Sequence, residues 1–214
     1  MPIDFYYTLG SSPCNSVRLL AKALKLDLNM KMIDFAKQEH LSPAYLKINP
    51  LHTVPAISDD GFVVAESRAI LSYLVEKYGK DDSLYPKDPK KRAVVNQRLY
   101  FDISTLYGNF ASYYYPVFST GKVGAESYLT KLQEAYQVLD KFLDGQNWVA
   151  GNNLTIADIS LTASVTAMQA VGFDVSKYPN VTKWLGNMKK LAGYDEIIVK
   201  GNELLKAYFD SKKK

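Results

Sequence analysis

The spacing of apolar residues changes character near residue 80. Before that point, short strand-like runs are interleaved with helical patterns; beyond it only helical spacing recurs. Phe5-Tyr6-Tyr7 reads as a buried strand, Gly10 permits a bend, and Cys14, Val17, Leu20, Ala21 and Leu24 then mark one face of a helix. Asn29 to Ile33 alternates as a second strand, and Ser42-Pro43 caps a short helix reaching Lys47. Pro50 and Pro55 bracket an extended segment, because each biases its preceding residue away from helix. Ala56-Ile57-Ser58 and Phe62-Val63-Val64 flank the turn signal Asp59-Asp60-Gly61, and Ile70, Tyr73 and Leu74 begin another helix.

That order, β-α-β, then α, then a β-hairpin and α, is the thioredoxin-like α/β arrangement, expected over residues 1–80. Residues 81–89 carry the polar turn residues of a linker, and residues 90–214 are expected to be all-helical. The first helix there runs from Lys90 to about Ser119, with Ile103, Tyr107, Phe110 and Tyr114 along one stripe. So many tyrosines suit a partly open cleft better than a dry core, since each buried hydroxyl wants a partner. Further helices are expected over Gly124 to Leu143, from Tyr178-Pro179 and from about Asp195. Thr155-Ile156-Ala157-Asp158 forms a capping box with Asp in place of the usual Glu or Gln.

Composition narrows the class. Of 214 residues 47% are hydrophobic, enough for a substantial core, and 22% are charged, which fits a soluble surface. The net charge of +4 comes from scattered residues, and Lys212-Lys213-Lys214 reads as a solvated tail, so no nucleic-acid partner is expected. A single Cys excludes an internal disulfide framework and suggests a reducing compartment; with neither a secretory signal nor a membrane-length apolar run, a cytoplasmic protein with no membrane partner is expected. The two His, His40 and His52, lack partners at zinc-ligand spacing, so no metal is expected.

Candidate chemistry sits at helix starts. In Gly10-Ser11-Ser12-Pro13-Cys14 two hydroxyls stand beside the free N–H groups of a helix N-terminus, a seat for an anion; Ser12 is the more natural cap, and a capped helix that binds nothing is the plain alternative. Ser67 offers a second such seat, with simple capping as its alternative. Val54 before Pro55 would present its backbone to an extended peptide if that bond is cis. Cys14, inside the helix, reads as a buried structural thiol rather than a redox group.

Together these segments resemble the cytosolic glutathione transferases, and the insect delta class in particular. The resemblance rests on Ser11-Ser12-Pro13-Cys14, His52-Thr53-Val54-Pro55, Glu66-Ser67-Arg68, Tyr113-Tyr114-Tyr115-Pro116 and Leu154 to Asp158. It implies an enzyme that joins the thiolate of glutathione, a co-substrate rather than a cofactor, to hydrophobic electrophiles in detoxification; a homodimer is implied with it. It implies Ser11 as the hydroxyl on the thiolate, with Ser12 in reserve. Val54 would pair with the cysteinyl unit, beside Thr53 and Pro55. Glu66 would take the γ-glutamyl ammonium, Ser67 its carboxylate with Arg68 assisting, and His52 and His40 the glycine carboxylate. The acceptor pocket would be lined by Tyr107, Phe110, Tyr115 and Phe118, with Leu9, Phe35 and Phe209.

The energetics allow it. A thiol of pKa about 8.5 needs roughly 2.7 kcal/mol to fall by about two units. A hydrogen bond to a charged group supplies roughly 1.5–3 kcal/mol and a helix end about 0.3–1. Two competing readings are a glutathione-dependent redox enzyme of the same fold, which would want a thiol where Ser11 or Ser12 stands, and a non-catalytic binding protein, which would lack the serine.

Overall fold

The computed structural model describes residues 2–214. Four strands form one mixed sheet in the order β2-β1-β3-β4: β1 (Ile3–Tyr7), β2 (Leu28–Met32), β3 (Ala56–Asp59) and β4 (Phe62–Ala65). β1 runs parallel to β2 and antiparallel to β3, with Phe5 opposite Met30 on one side and Ile57 on the other. Helix α1 (Ser12–Leu24) makes the β1–β2 crossover, α2 (Pro43–Leu46) precedes β3, and α3 (Ser67–Tyr78) leaves β4 directly. This is the thioredoxin-like arrangement, and every strand of the sheet lies in it.

The remaining elements are helical: α4 (Pro89–Phe101), α5 (Tyr107–Tyr114), α6 (Pro116–Thr120), α7 (Glu126–Phe142), α8 (Ile156–Ala170), α9 (Pro179–Met188) and α10 (Lys200–Lys212). Helix α8 is buried on every side from Ile156 to Met168, so it serves as the central post of this half. Its N-terminus carries the expected capping box: Thr155 accepts from the Ala157 amide at 3.3 Å and Asp158 accepts from the Thr155 amide at 2.9 Å. Asp158 also accepts from the Val149 amide at 2.8 Å and Trp184 Nε1 at 2.9 Å, so one buried carboxylate ties a loop and α9 to α8.

One long helix from Lys90 to Ser119 is not what forms. Asp102–Leu106 is a π-helical turn between α4 and α5, and Pro116 starts a separate short helix. A π turn carries more residues than an α turn, so it rotates everything beyond it relative to a 3.6-residue stripe. A second π turn, Tyr194–Val199, similarly introduces α10.

Asp59 anchors α3 to the end of β3. Its Oδ2 accepts from Tyr73 Oη at 2.6 Å, Tyr78 Oη at 2.6 Å and Lys77 Nζ at 2.8 Å. Desolvation pushes this carboxyl up, but the three donors outweigh it and hold the pKa at about 2. A depressed folded pKa gives stabilisation that is complete above the unfolded value, about 3.9, and is lost as pH falls through the folded one. Asp59→Asn is therefore expected to lower the urea midpoint at pH 7, with the gap to wild type narrowing progressively below pH 4. Midpoints measured at stepped pH check this, and a gap independent of pH would count against it.

Candidate functional site

A cleft of about 820 Å³ opens where the sheet half meets the helices, and its wall draws on both. One side begins at the β1–α1 turn. Gly10, at φ 74°, occupies the left-handed region that favours glycine. Ser11 at φ −76° and ψ 114° is the N-cap of α1, its Oγ accepting a long 3.4 Å bond from the Cys14 amide. This corrects the expectation that Ser12 caps the helix. Ser12 is already helical and buried, and Pro13 sits one position further in, where its missing N–H still costs no intrahelical bond. Ser11 is on the wall with its hydroxyl proton uncommitted; Ser12 is not on it.

The loop before β3 supplies Thr53, Val54 and Pro55. Buried Asn49 holds this loop, donating to the Thr53 carbonyl at 2.9 Å and accepting from the Leu51 amide at 3.1 Å, while Tyr45 Oη donates to the same carbonyl at 2.6 Å. The Val54–Pro55 bond is cis. Neither backbone polar group of Val54 has a partner among the described residues. Sequence reasoning passed over Asn49; a buried-type polar residue directly before a proline was the available signal.

Glu66, at φ 68°, turns the chain from β4 into α3 and places Glu66, Ser67 and Arg68 on the wall. Arg68 donates through Nε and Nη2 to Asp102 Oδ2 at 3.2 and 2.7 Å, and through Nη1 to Ser67 Oγ at 3.0 Å. Asp102 is fully buried and also accepts from Ser160 Oγ at 2.5 Å. Burial would lower the guanidinium pKa, but the adjacent Asp102 charge more than offsets this and the net direction is upward. Two of the arginine's donor groups are thus committed to Asp102, with Nη1 on Ser67.

The wall also holds Leu9 and Phe35 from the sheet half and Tyr107, Tyr115 and Phe118 from the helices, with Ile103 of the tyrosine stripe and with Leu205 and Tyr208, which the sequence reading did not name. The hydroxyls of Tyr107 and Tyr115 hydrogen-bond to each other. Phe110 and Phe209 are corrections, being 1% and 2% exposed and off the wall. Phe110 packs beneath Tyr107 and Tyr115 at 5.7 and 5.6 Å, since three residues along α5 carry it about 60° round the helix from Tyr107. Phe209 packs on Tyr114 and Phe118, leaving its neighbour Tyr208, about 100° round the helix, to face the cleft. His40 and His52 also stand off the wall. The His40 ring stacks on Phe35 at 4.2 Å, one layer back, and exposed His52 takes φ 50° in the loop, 6.2 Å from His40. Cys14 is buried, and that burial pushes its thiol up to about 11, so it is an inert core group.

Two family descriptions match the chain. Residues 1–76 fit the glutathione S-transferase N-terminal domain and residues 105–191 the C-terminal domain. A delta-class glutathione transferase of Nilaparvata lugens is 47% identical, with 99% of this chain and 100% of that one aligned at a TM-score of 0.95. A glutathione transferase of Bombyx mori is 44% identical over 97% and 98% of the two chains, TM-score 0.93. A glutathione transferase homologue of Drosophila mojavensis, solved with bound glutathione, is 37% identical over 99% and 98%, TM-score 0.91.

Removing one partner of a buried ion pair leaves an uncompensated charge. Asp102→Ala is expected to cost about 3–5 kcal/mol of unfolding free energy, and the double change Arg68→Met with Asp102→Ala less than the single one. Denaturant titration of the three variants checks the ordering; a double variant that is the least stable would contradict it.

Proposed function

The chain belongs to the glutathione S-transferase family, and we propose that Ser11 holds the thiolate of glutathione for attack on hydrophobic electrophiles bound against the tyrosine-lined wall. The observation that carries this is a cap hydroxyl with an uncommitted proton, standing on the cleft wall at the N-terminus of α1. Its oxygen accepts only a 3.4 Å bond from the Cys14 amide, so its O–H is free to donate to sulfur. Together with the helix end it supplies roughly the 2.7 kcal/mol that a fall of about two units requires. No general base is needed, because the proton leaves to solvent on binding.

The rest of the tripeptide follows the wall. The unpaired Val54 amide and carbonyl take the cysteinyl unit as an added strand. Ser67 and the N-terminus of α3 take the γ-glutamyl carboxylate, and Glu66 its ammonium. Arg68 acts here as a positioning residue through Nη1 on Ser67. His52 and His40 remain the proposed neighbours of the glycine carboxylate only through movement of the exposed loop, since neither lines the cleft. The buried Cys14 gives the redox alternative no accessible thiol. Detoxification in the cytoplasm by a homodimer completes the proposal, and a mass near twice 24.0 kDa in sedimentation tests its assembly.

Ser11→Ala is expected to raise the apparent pKa of the bound thiol by about 1 to 2 pH units, the equivalent of one hydrogen bond to a charged group. Conjugation of a chlorinated dinitrobenzene would then fall most at pH 6.5 and least at pH 9; an unshifted pH–rate profile sinks the assignment. Ser67→Ala is expected to raise KM for glutathione by roughly tenfold, one hydrogen bond to a carboxylate, with the thiol pKa unmoved. Initial rates over a glutathione series measure both quantities.

A further inference from the structure

Helix α10 brings Leu205 and Tyr208 to the cleft wall, and its seat on α1 lies outside that wall. Gly201, Leu205 and Tyr208 follow at i, i+4 and i+7, so they share one face of the helix. At the first of these positions a Cβ would stand 2.3 Å from Asn15 Nδ2, 3.0 Å from its Cγ and 3.1 Å from its Oδ1. Gly201 is buried and Asn15 only 2% exposed, so the amide has little room to turn aside. Asn15 Oδ1 accepts a long 3.4 Å bond from Arg18 Nη1, and Nδ2 has no hydrogen-bond partner among the described residues. What Asn15 presents to α10 is therefore bulk.

The contact sits between the two halves of the proposed reaction. The Asn15 backbone amide closes the first turn of α1 by donating to the Ser11 carbonyl at 2.9 Å, which ties Asn15 to the turn that carries Ser11. One turn further along α10, the Leu205 backbone lies against Gly10, again where only a missing side chain leaves room. The far end of α10 is fastened separately. Phe209 packs on Tyr114 and Phe118, and the Lys214 amide donates to the Gly121 carbonyl at 3.0 Å. With that end held, the depth to which Gly201 settles on Asn15 sets how closely Leu205 and Tyr208 approach the β1–α1 turn.

We propose that Asn15 and Gly201 are positioning residues that set the width of the acceptor side of the cleft, and so the size of electrophile it takes. The proposal rests on the reading that hydrophobic electrophiles bind against this wall. Neither residue lines the cleft, and neither touches glutathione in the proposed arrangement. Relaxing a 2.3 Å approach to an ordinary contact requires a shift of about 1 Å. Moved away from α1 by that much, Leu205 and Tyr208 open the wall toward larger acceptors while Ser11 keeps its cap geometry. Misplacement on that scale is enough to change a rate roughly a hundredfold.

The test compares kcat/KM for benzyl chloride with that for a naphthylmethyl chloride at saturating glutathione. Both lose chloride to the same sulfur, and they differ by one fused ring. Gly201→Ala is expected to raise the naphthyl-to-benzyl ratio roughly tenfold, the scale on which a hydrophobic pocket sorts substrates by size. Adding Asn15→Ala makes room for the new methyl group and is expected to return the ratio most of the way to the wild-type value. Asn15→Gln presses on Gly201 from the other helix, is expected to raise the ratio too, and carries the test on the same terms if Gly201→Ala does not fold. The ultraviolet absorbance of the bound thiolate, titrated in the same proteins, is expected to stay put. A flat ratio in Gly201→Ala, a ratio that the double variant fails to restore, or a thiolate titration that moves overturns the proposal. Leu205→Ala separates the two readings, because it widens the wall directly. A ratio that rises there and stays flat in Gly201→Ala sinks the proposal alone, whereas one flat in every variant sinks the acceptor wall with it.

Discussion

The buried contact between Arg68 and Asp102 is the constraint on which the cleft depends. Desolvating two charges is expensive, and such a pair survives only where further hydrogen bonds complete it. Here Ser160 donates to Asp102 and the arginine's third donor reaches Ser67, so both ions have company beyond each other. Arg68 belongs to α3 and Asp102 to the π turn after α4, while Ser160 belongs to the central helix α8. One ionic contact thus fixes the N-terminus of α3 relative to the aromatic wall of the cleft. The same guanidinium lies over Tyr107, coupling the polar end of the cleft to the start of its aromatic side.

A second close approach sets the other edge. A Cβ on Gly10 would lie 3.1 Å from the Leu205 amide nitrogen, and one on Gly201 would meet the Asn15 side chain at 2.3 Å. Helix α10 therefore rests directly on the β1–α1 turn and on α1, with two glycines clearing the space. Leu205 and Tyr208 reach the cleft from this helix, so the turn that carries Ser11 and part of the apolar wall form one packed unit. Positioning to a fraction of an ångström is what such packing supplies.

The order of strands and helices before residue 80, the hairpin, the starts of α1, α2 and α8 and the capping box were legible because local rules decide them, although the cap of α1 fell on Ser11 rather than Ser12. Pro13, Asp59-Asp60-Gly61 and Thr155 to Asp158 each act within a few residues of themselves. What escaped was rotation. The π turn at Asp102–Leu106 has no composition signal, and beyond it Phe110 stands about 60° round α5 from Tyr107, beneath the wall rather than on it. Phe209 failed for the same reason at smaller scale, since a neighbouring residue on a helix points about 100° away. The pairing of Arg68 with Asp102 also lay out of reach, because 34 residues separate them and the carboxylate sits mid-helix.

Backbone strain points the same way as the packing. Glu66 at φ 68° and His52 at φ 50° are non-glycine residues in the left-handed region, and they flank the two segments that carry the polar half of the site. Each such residue costs of order 1 kcal/mol and persists only where its surroundings over-determine it. Asn49 and Tyr45 do that for the loop carrying His52, through three hydrogen bonds around Thr53. Arg68 does it for Glu66, since an arginine fixed to Asp102 and Ser67 leaves the first turn of α3 little freedom. The site is therefore held by contacts that touch no ligand. Its groups meet an incoming tripeptide already oriented, so less of the binding energy goes into ordering them.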